Sequence, residues 1–169
     1  KVPEDLAAQI PVVEELIDAL GIPRLAVPGV EADDLLGTLA RRAEERGMDV
    51  VIVSSDKDLY QLVSKRVTVR DGLKGNTVGE EQVEEVFGVP PGKVTDLLAL
   101  AGDPSDNVPG VPGFGTMSAA RLLATGPLDA FVADPTRLRE ALGRRSDAVE
   151  RAFADGTAAM IVERNRALM

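Results

Sequence analysis

The run Asp49-Val50-Val51-Ile52-Val53-Ser54 constrains the fold more than any other stretch. Consecutive β-branched residues lose rotamer freedom in a helix and pack well on a pleated surface, so this run forms a strand. It does not alternate with polar residues, which predicts burial on both faces, as in the parallel sheet of an α/β protein. The flanking segments agree. Pro3-Glu4-Asp5 starts a helix in which Leu6, Ile10, Val13, Leu16, Ile17 and Leu20 recur at helical spacing until Gly21 stops it. Leu25-Ala26-Val27 reads as a short buried strand closed by Pro28-Gly29. Glu31 to Arg46 reads as a second helix, with its apolar stripe at Leu35, Leu36, Leu39, Ala40 and Ala43. A short helix over Asp56–Leu62 and a strand over Val67–Arg70 follow. Strand alternating with helix in this way is the grammar of an α/β fold, a parallel central sheet flanked by helices.

From Gly79 onward the period becomes helical. Val83, Val86 and Phe87, then Val94, Leu97, Leu98 and Leu100, then Leu122, Leu123, Phe131, Leu138, Leu142, Met160 and Ile161 follow it, broken by Gly and Pro clusters. The expected division is therefore residues 1–78 as an α/β part and residues 79–169 as a helical part.

With 44% hydrophobic and 28% charged residues, the 169-residue chain can bury a core. No apolar run approaches the roughly 20 residues a membrane helix needs, and Lys1-Val2-Pro3-Glu4-Asp5 lacks the layout of a signal peptide, so a cytoplasmic setting is expected. The chain has no Cys and no His, which excludes thiol nucleophiles, thiolate metal sites and histidine bases. Its chemistry must run on carboxylates, hydroxyls, Lys or a hard metal. The net charge of −9 is unevenly spread: residues from Gly110 onward carry +1 and the remainder −10. That asymmetry fits an acidic metal-binding part followed by a part able to approach a polyanion, and equally an acidic protein with no such role.

Acidic residues gather in three places. Glu31-Ala32-Asp33-Asp34 follows the first expected strand, and Asp56-Lys57-Asp58 follows the second, where α/β proteins build their sites. Each can also be read as helix capping, with Ser54, Ser55 or Asp56 as an N-cap. The third cluster, Asp103-Pro104-Ser105-Asp106-Asn107, has turn composition, and its i, i+3 spacing would set both carboxylates on one side of a helical turn. Together the clusters place uncompensated negative charge at adjacent strand ends, which a divalent cation would relieve. All-oxygen ligands favour Mg²⁺, Mn²⁺ or Ca²⁺, and so many carboxylates suit two ions. Two such ions about 3.5 to 4 Å apart can activate a water and stabilise a leaving oxygen in phosphodiester hydrolysis, with no histidine needed.

The segment Gly110-Val111-Pro112-Gly113-Phe114-Gly115-Thr116-Met117-Ser118-Ala119-Ala120-Arg121 has small residues that let backbone approach a ligand, with Ser118 at the mouth of a helix. It is either a tight interhelical turn or a helix-hairpin-helix grip on a DNA backbone.

These motifs resemble the 5′-nuclease family, the 5′-3′ exonucleases and flap endonucleases found at the front of bacterial DNA polymerase I and as stand-alone proteins. The carrying stretches are Val27 to Asp34, Ser54 to Gln61, and Leu98 to Gly115, in the family's order along nearly the whole chain. The resemblance implies a PIN-like nuclease core that holds two Mg²⁺ or Mn²⁺ ions. Glu31 and Asp33 would help hold the first ion, Asp56, Asp58 and Asp106 the second, with Asp34 and Asp103 as ligands or close by. Residues 98–125 would form the helix-two-turn-helix DNA grip, using Gly110, Gly113, Gly115, Ser118 and Arg121, with a K⁺ ion on loop carbonyls; Lys57 would reach a phosphate. The implied substrate is DNA with a 5′ end or flap, or an RNA primer, read by shape and phosphates. The implied protein is a cytoplasmic, nucleoid-associated bacterial monomer, alone or tethered to a DNA polymerase.

Two departures from the pattern stand out. Thr116-Met117-Ser118 replaces the family's Glu-Lys-Thr, which shifts phosphate binding toward Arg121. The family's first strand, with its metal-binding Asp, and its helical arch do not precede Lys1, so these residues alone are expected to be poorly active. A rival reading is a catalytically impaired DNA-structure-binding fragment. A third is a receiver-like phosphotransfer domain using Asp56 or Asp58, in which the glycine loop has no purpose.

Overall fold

The computed structural model describes residues 3–143 and 147–169. Lys1 and Val2, with Arg144 and Arg145 of the charge balance, lie outside the described residues. The chain divides into two compact units, Lys1–Leu36 and Gly37–Met169.

In the first unit, helix α1 spans Glu4–Ala19, starting after Pro3 and ending before Gly21, which takes φ +69°. Arg24 grips α1 from the segment beyond, donating to both carboxylate oxygens of Asp18 at 2.8 and 3.0 Å. The strand expected over Leu25-Ala26-Val27 does not form. Pro23 and Pro28 each remove a ladder donor, and Val27 to Val30 is instead a turn closed by the Val30 amide on the Val27 carbonyl at 3.1 Å, with Gly29 at φ +77°. Helix α2, Ala32–Glu45, begins here and carries Asp33 and Asp34 in its first turn.

The second unit holds the sheet. Strands β1, Val50–Val53, and β2, Val67–Arg70, pair in parallel, and β3, Thr77–Val78, adds to β2 antiparallel. The α/β class and the parallel pair are as the sequence predicts, while the two-residue β3 is too short to leave a pattern. Burial of β1 on both faces is not found. Ile52 is buried beside Val69, but Val51 and Val53, on the opposite face with Thr68 and Arg70, are 60% and 67% exposed. Because both faces of the run carry valine, composition could not report that only one is covered.

The rest is helical: α3 Glu80–Phe87, α4 Val94–Ala101, α5 Thr116–Thr125, α6 Leu128–Ala133, α7 Arg137–Leu142, α8 Asp147–Ala154 and α9 Thr157–Arg166. Between α4 and α5 lies a small hairpin of β4, Gly102–Asp103, and β5, Val108–Pro109. The core sits around α4, where Val94, Leu97, Ala99 and Leu100 are fully buried against Leu122 and Leu123 of α5 and Ala158 of α9. No helix among the described residues is long and apolar enough to cross a membrane.

Candidate metal centre and backbone-binding loop

The parallel pairing of β1 and β2 sets their carboxyl ends at one edge of the sheet, and β1 runs from there into Asp56-Lys57-Asp58. Ser54 Oγ accepts the Asp56 amide at 3.1 Å, and Asp56 Oδ1 accepts the Asp58 amide at 3.0 Å. These two side-chain turns replace the first turn of the expected helix, which begins instead as a 3₁₀ turn at Asp58–Leu62. Buried Leu59 anchors that turn in the core, and this fixes where Asp58 stands.

The opposite wall is the hairpin after α4. Its two-residue strands place Asp103 across from Val108, with Pro104 to Asn107 as the loop and Asn107 in the left-handed region at φ +57°. A β-hairpin thus takes the place of the helical turn inferred from the i, i+3 spacing, because Pro104 and the left-handed Asn107 favour a tight reversal. Asp103, 6% exposed, accepts both the amide and the hydroxyl of Ser105, at 2.7 and 2.5 Å. The Ser105 hydroxyl holds the Asp103 carboxyl below the usual carboxylate range, with backbone amides of Ser105 and Asp106 and a hydrogen bond with Asp58 adding to it and burial opposing it.

Asp58, Asp103 and Asp106 come together here, with one carboxylate oxygen of each within 4.8 Å of the others. At 4.8 Å two ionised carboxylates repel by roughly 3.5 kcal/mol at an effective dielectric of about 20, and by less where solvent screens them. The donor set is three hard oxygens at the rim of the structure, two of them solvent-accessible, which fits a divalent cation that keeps part of its water. It offers nothing to a soft metal.

The remaining predicted acids stand differently. Asp56 is exposed and turned to the Asp58 amide, outside the three-carboxylate group. Glu31, Asp33 and Asp34 are exposed in the first unit, where Glu31 supplies the carbonyl that receives the Leu35 amide. Lys57 is exposed, and its ammonium pairs with no described residue.

The glycine loop leaves the hairpin at Gly110. A Cβ at Gly110 would lie 2.3 Å from the carbonyl of Ala101, and one at Gly102 would lie 2.3 Å from the amide of Gly110. Two backbones therefore cross with no side chain between them. Gly113 turns the loop at φ +85°, and Gly115 caps α5, where Ser118 Oγ accepts the Gly115 amide and donates to its carbonyl at 3.0 and 2.9 Å. The Ser118 hydroxyl is thus spent on the cap. What faces solvent is backbone: the amides of Thr116 and Met117 and the carbonyls of Pro112 and Gly113 have no hydrogen-bond partner among the described residues. Arg121, one turn along α5, is exposed and makes no ion pair with a described residue.

Sequence reasoning missed the supports behind these groups. In the sequence Ser105 reads only as turn composition. Lys93, which donates to the Leu123 carbonyl at the end of α5 at 2.6 Å, carried no signal, and neither did the buried Asn165. A lone Asn inside a helical apolar period, where polar burial needs partners, is the one clue that was available.

Comparison with known proteins bears on the family and the fold. Residues 1–88 match the family described as the 5′-3′ exonuclease, N-terminal resolvase-like domain, and residues 89–160 the 5′-3′ exonuclease, C-terminal SAM fold. The chain is 45% identical over 145 residues to DNA polymerase I of Rhizobium leguminosarum, covering 85% of this chain and 14% of that protein. It is 46% identical over 123 residues to a 5′-3′ exonuclease of Aquifex aeolicus, covering 73% of this chain and 43% of that one. In fold it resembles a bacteriophage T5 protein co-crystallised with metal ions, with a TM-score of 0.77 at 21% identity, over 99% of this chain and 63% of that one. A T5 flap endonuclease complex with DNA and metal ions gives 0.73 at 20% identity, over 99% and 61%.

Proposed function

Because the chain belongs to the 5′-3′ exonuclease family, we propose that it forms the metal-binding and DNA-gripping part of a structure-specific 5′-nuclease. It spans about a seventh of the length of its DNA polymerase I relatives, 14% in the Rhizobium protein, so the substrates of the whole protein are part of the proposal. The observation that carries it is the convergence of Asp58, Asp103 and Asp106 on a hairpin whose far end opens into the glycine loop.

In this reading Asp58, Asp103 and Asp106, joined by Asp56, hold one divalent ion, Mg²⁺ or Mn²⁺, and Glu31, Asp33 and Asp34 contribute to a second. Bound there, the ions supply Lewis acidity toward a phosphodiester and its attacking water. The chain does the placing. Ser105 orients Asp103, and its hydroxyl bond holds the carboxyl below the usual carboxylate range. The open amides of Thr116 and Met117, at the positive end of α5, with Arg121 above them, suit a phosphate that carries no sequence information. The free carbonyls of Pro112 and Gly113 suit a K⁺ ion. Lys57 would meet a second phosphate. The substrate class is DNA with a 5′ end or flap, or an RNA primer, and the setting is the bacterial cytoplasm beside a polymerase.

The test is cleavage of a 5′-flap duplex by the full-length protein that carries this chain. Asp106→Ala is expected to lower Mg²⁺-dependent turnover about 10³-fold, while DNA affinity measured in chelator changes less than about twofold. Unchanged turnover would make the carboxylates turn-formers and end the reading. Tight binding of flaps without cleavage by the unsubstituted protein would favour the binding-fragment rival.

A further inference from the structure

Asn165 is fully buried near the end of α9, beyond the residues that match the family models. Its Nδ2 donates to the Ala99 carbonyl at 3.0 Å and to the Pro109 carbonyl at 3.1 Å. Its Oδ1 accepts from Arg164 Nε at 3.0 Å and from Arg164 Nη2 at 2.7 Å. The same Nη2 donates to the Pro109 carbonyl at 2.9 Å. Both amide hydrogens and the amide oxygen are therefore used, and the bonds that Asn165 and Arg164 make beyond their own helix run to the base of the carboxylate hairpin.

That base is otherwise thinly held. β4 and β5 have two residues each, Gly102 pairing with Pro109 and Asp103 with Val108. Ala99 lies in the last turn of α4, where carbonyls have no helical partner, and its neighbours are met by hairpin amides: Gly102 on Leu98, and Val111 on Leu100 at 2.8 Å. The Ala99 carbonyl is met by a side chain from α9, that of Asn165. Asn165 thus ties the last turn of α4, which leads into the hairpin, to β5, which leaves it, and Asp103 and Asp106 lie between those two points in the chain.

We propose that Asn165, braced by Arg164, is the positioning residue of the metal centre, holding the Asp103–Asp106 hairpin at the distance from Asp58 at which all three carboxylates bind one cation. This rests on the function proposed above and adds the control of its geometry from a helix that carries none of the three carboxylates. Partners that orient metal ligands typically change metal affinity 10- to 100-fold when removed.

The experiment is Mn²⁺ binding, followed by electron paramagnetic resonance on the full-length protein carrying this chain, at a temperature where each variant is folded by circular dichroism. Asn165→Ala is expected to weaken Mn²⁺ binding at least tenfold, and Arg164→Ala, at an exposed and tolerant position, about threefold. In parallel, half-saturating Mg²⁺ for flap cleavage should rise while KM for DNA stays within about twofold. If Asn165→Ala does not fold, Arg164→Ala alone decides. Wild-type Mn²⁺ affinity in the folded variants would overturn the proposal and leave Asn165 a packing residue. Mn²⁺ binding that depends on Asn165, without any flap cleavage by the unsubstituted protein, would uphold this inference and sink the function instead.

Discussion

Helix α1 carries Leu6, Ile10, Val13 and Leu16 at amphipathic spacing, and α4 carries Val94, Leu97, Leu98 and Leu100 in much the same way. The first set is 51%, 48%, 51% and 57% exposed; in the second, Leu98 is the most exposed, at 7%. The α4 residues are closed in by α5 and α9, and those of α1 stand in a unit of only two elements. Apolar period therefore decides that a segment winds into a helix, while burial depends on which neighbours arrive to cover it. The sheet repeats the lesson on a smaller scale, with Ile52 covered and Val51 and Val53 open.

The sharpest way to break this contrast is at its tightest point. Gly110→Ala would drive a methyl into the Ala101 backbone and is expected to cost at least about 3 kcal/mol, or to abolish folding of the second unit. Gly21→Ala at the end of α1, with open space around it and only a left-handed φ to oppose it, should cost about 1 kcal/mol. Urea midpoints of the two variants compare them directly. If Gly110→Ala is as mild as Gly21→Ala, the crossing of backbones is not as tight as described.

A step smaller, Leu97→Ala should destabilise by about 2 to 5 kcal/mol through the cavity it leaves. Leu16→Ala should stay within about 0.5 kcal/mol. Equal losses in thermal unfolding would show that the α1 stripe is covered in solution and would erase the comparison.

The smallest effect concerns the loop after β2. Asp71 Oδ1 accepts the amides of Leu73 and Lys74 at 2.9 and 3.0 Å, and these, Lys74 first, hold its carboxyl below the usual range. A carboxyl lowered on folding adds stability that is present above its unfolded pKa and is lost as pH falls through its folded value. Asp71→Asn should therefore lower the urea midpoint slightly at pH 7, by an amount that shrinks as the pH is taken down through the acid range. A deficit of the same size throughout would remove Asp71 from the acid response.

Much of this was legible in the residues themselves. The β-branched run at 50–53, the helix stop at Gly21 and the three acidic clusters are local signals set by conformational preference, and each falls where a strand, a cap or a turn formed. The resemblance sets Asp58 and Asp106 with Asp56 and leaves Asp103 as a ligand or close by, whereas the structure gathers Asp58 and Asp106 with Asp103. What could not be read depends on distant partners. The strand expected at Leu25-Ala26-Val27 had composition but no ladder, and the hairpin form of Asp103 to Asp106 turned on the left-handed Asn107. Asn165 acquires meaning only when folding brings it to Ala99 and Pro109, 66 and 56 residues away.

Lys93, just ahead of α4, reaches across to the last turn of α5, whose other end is joined to α4 through the glycine loop. The two helices are thus fastened at both ends, like the long sides of a closed frame. A frame of that kind does not yield at one corner: a load placed on Gly113 reaches Lys93 as well. Amide hydrogen exchange along α4 and α5 should accordingly slow together when the loop is occupied, and neutralising Lys93 should let the far side slacken first.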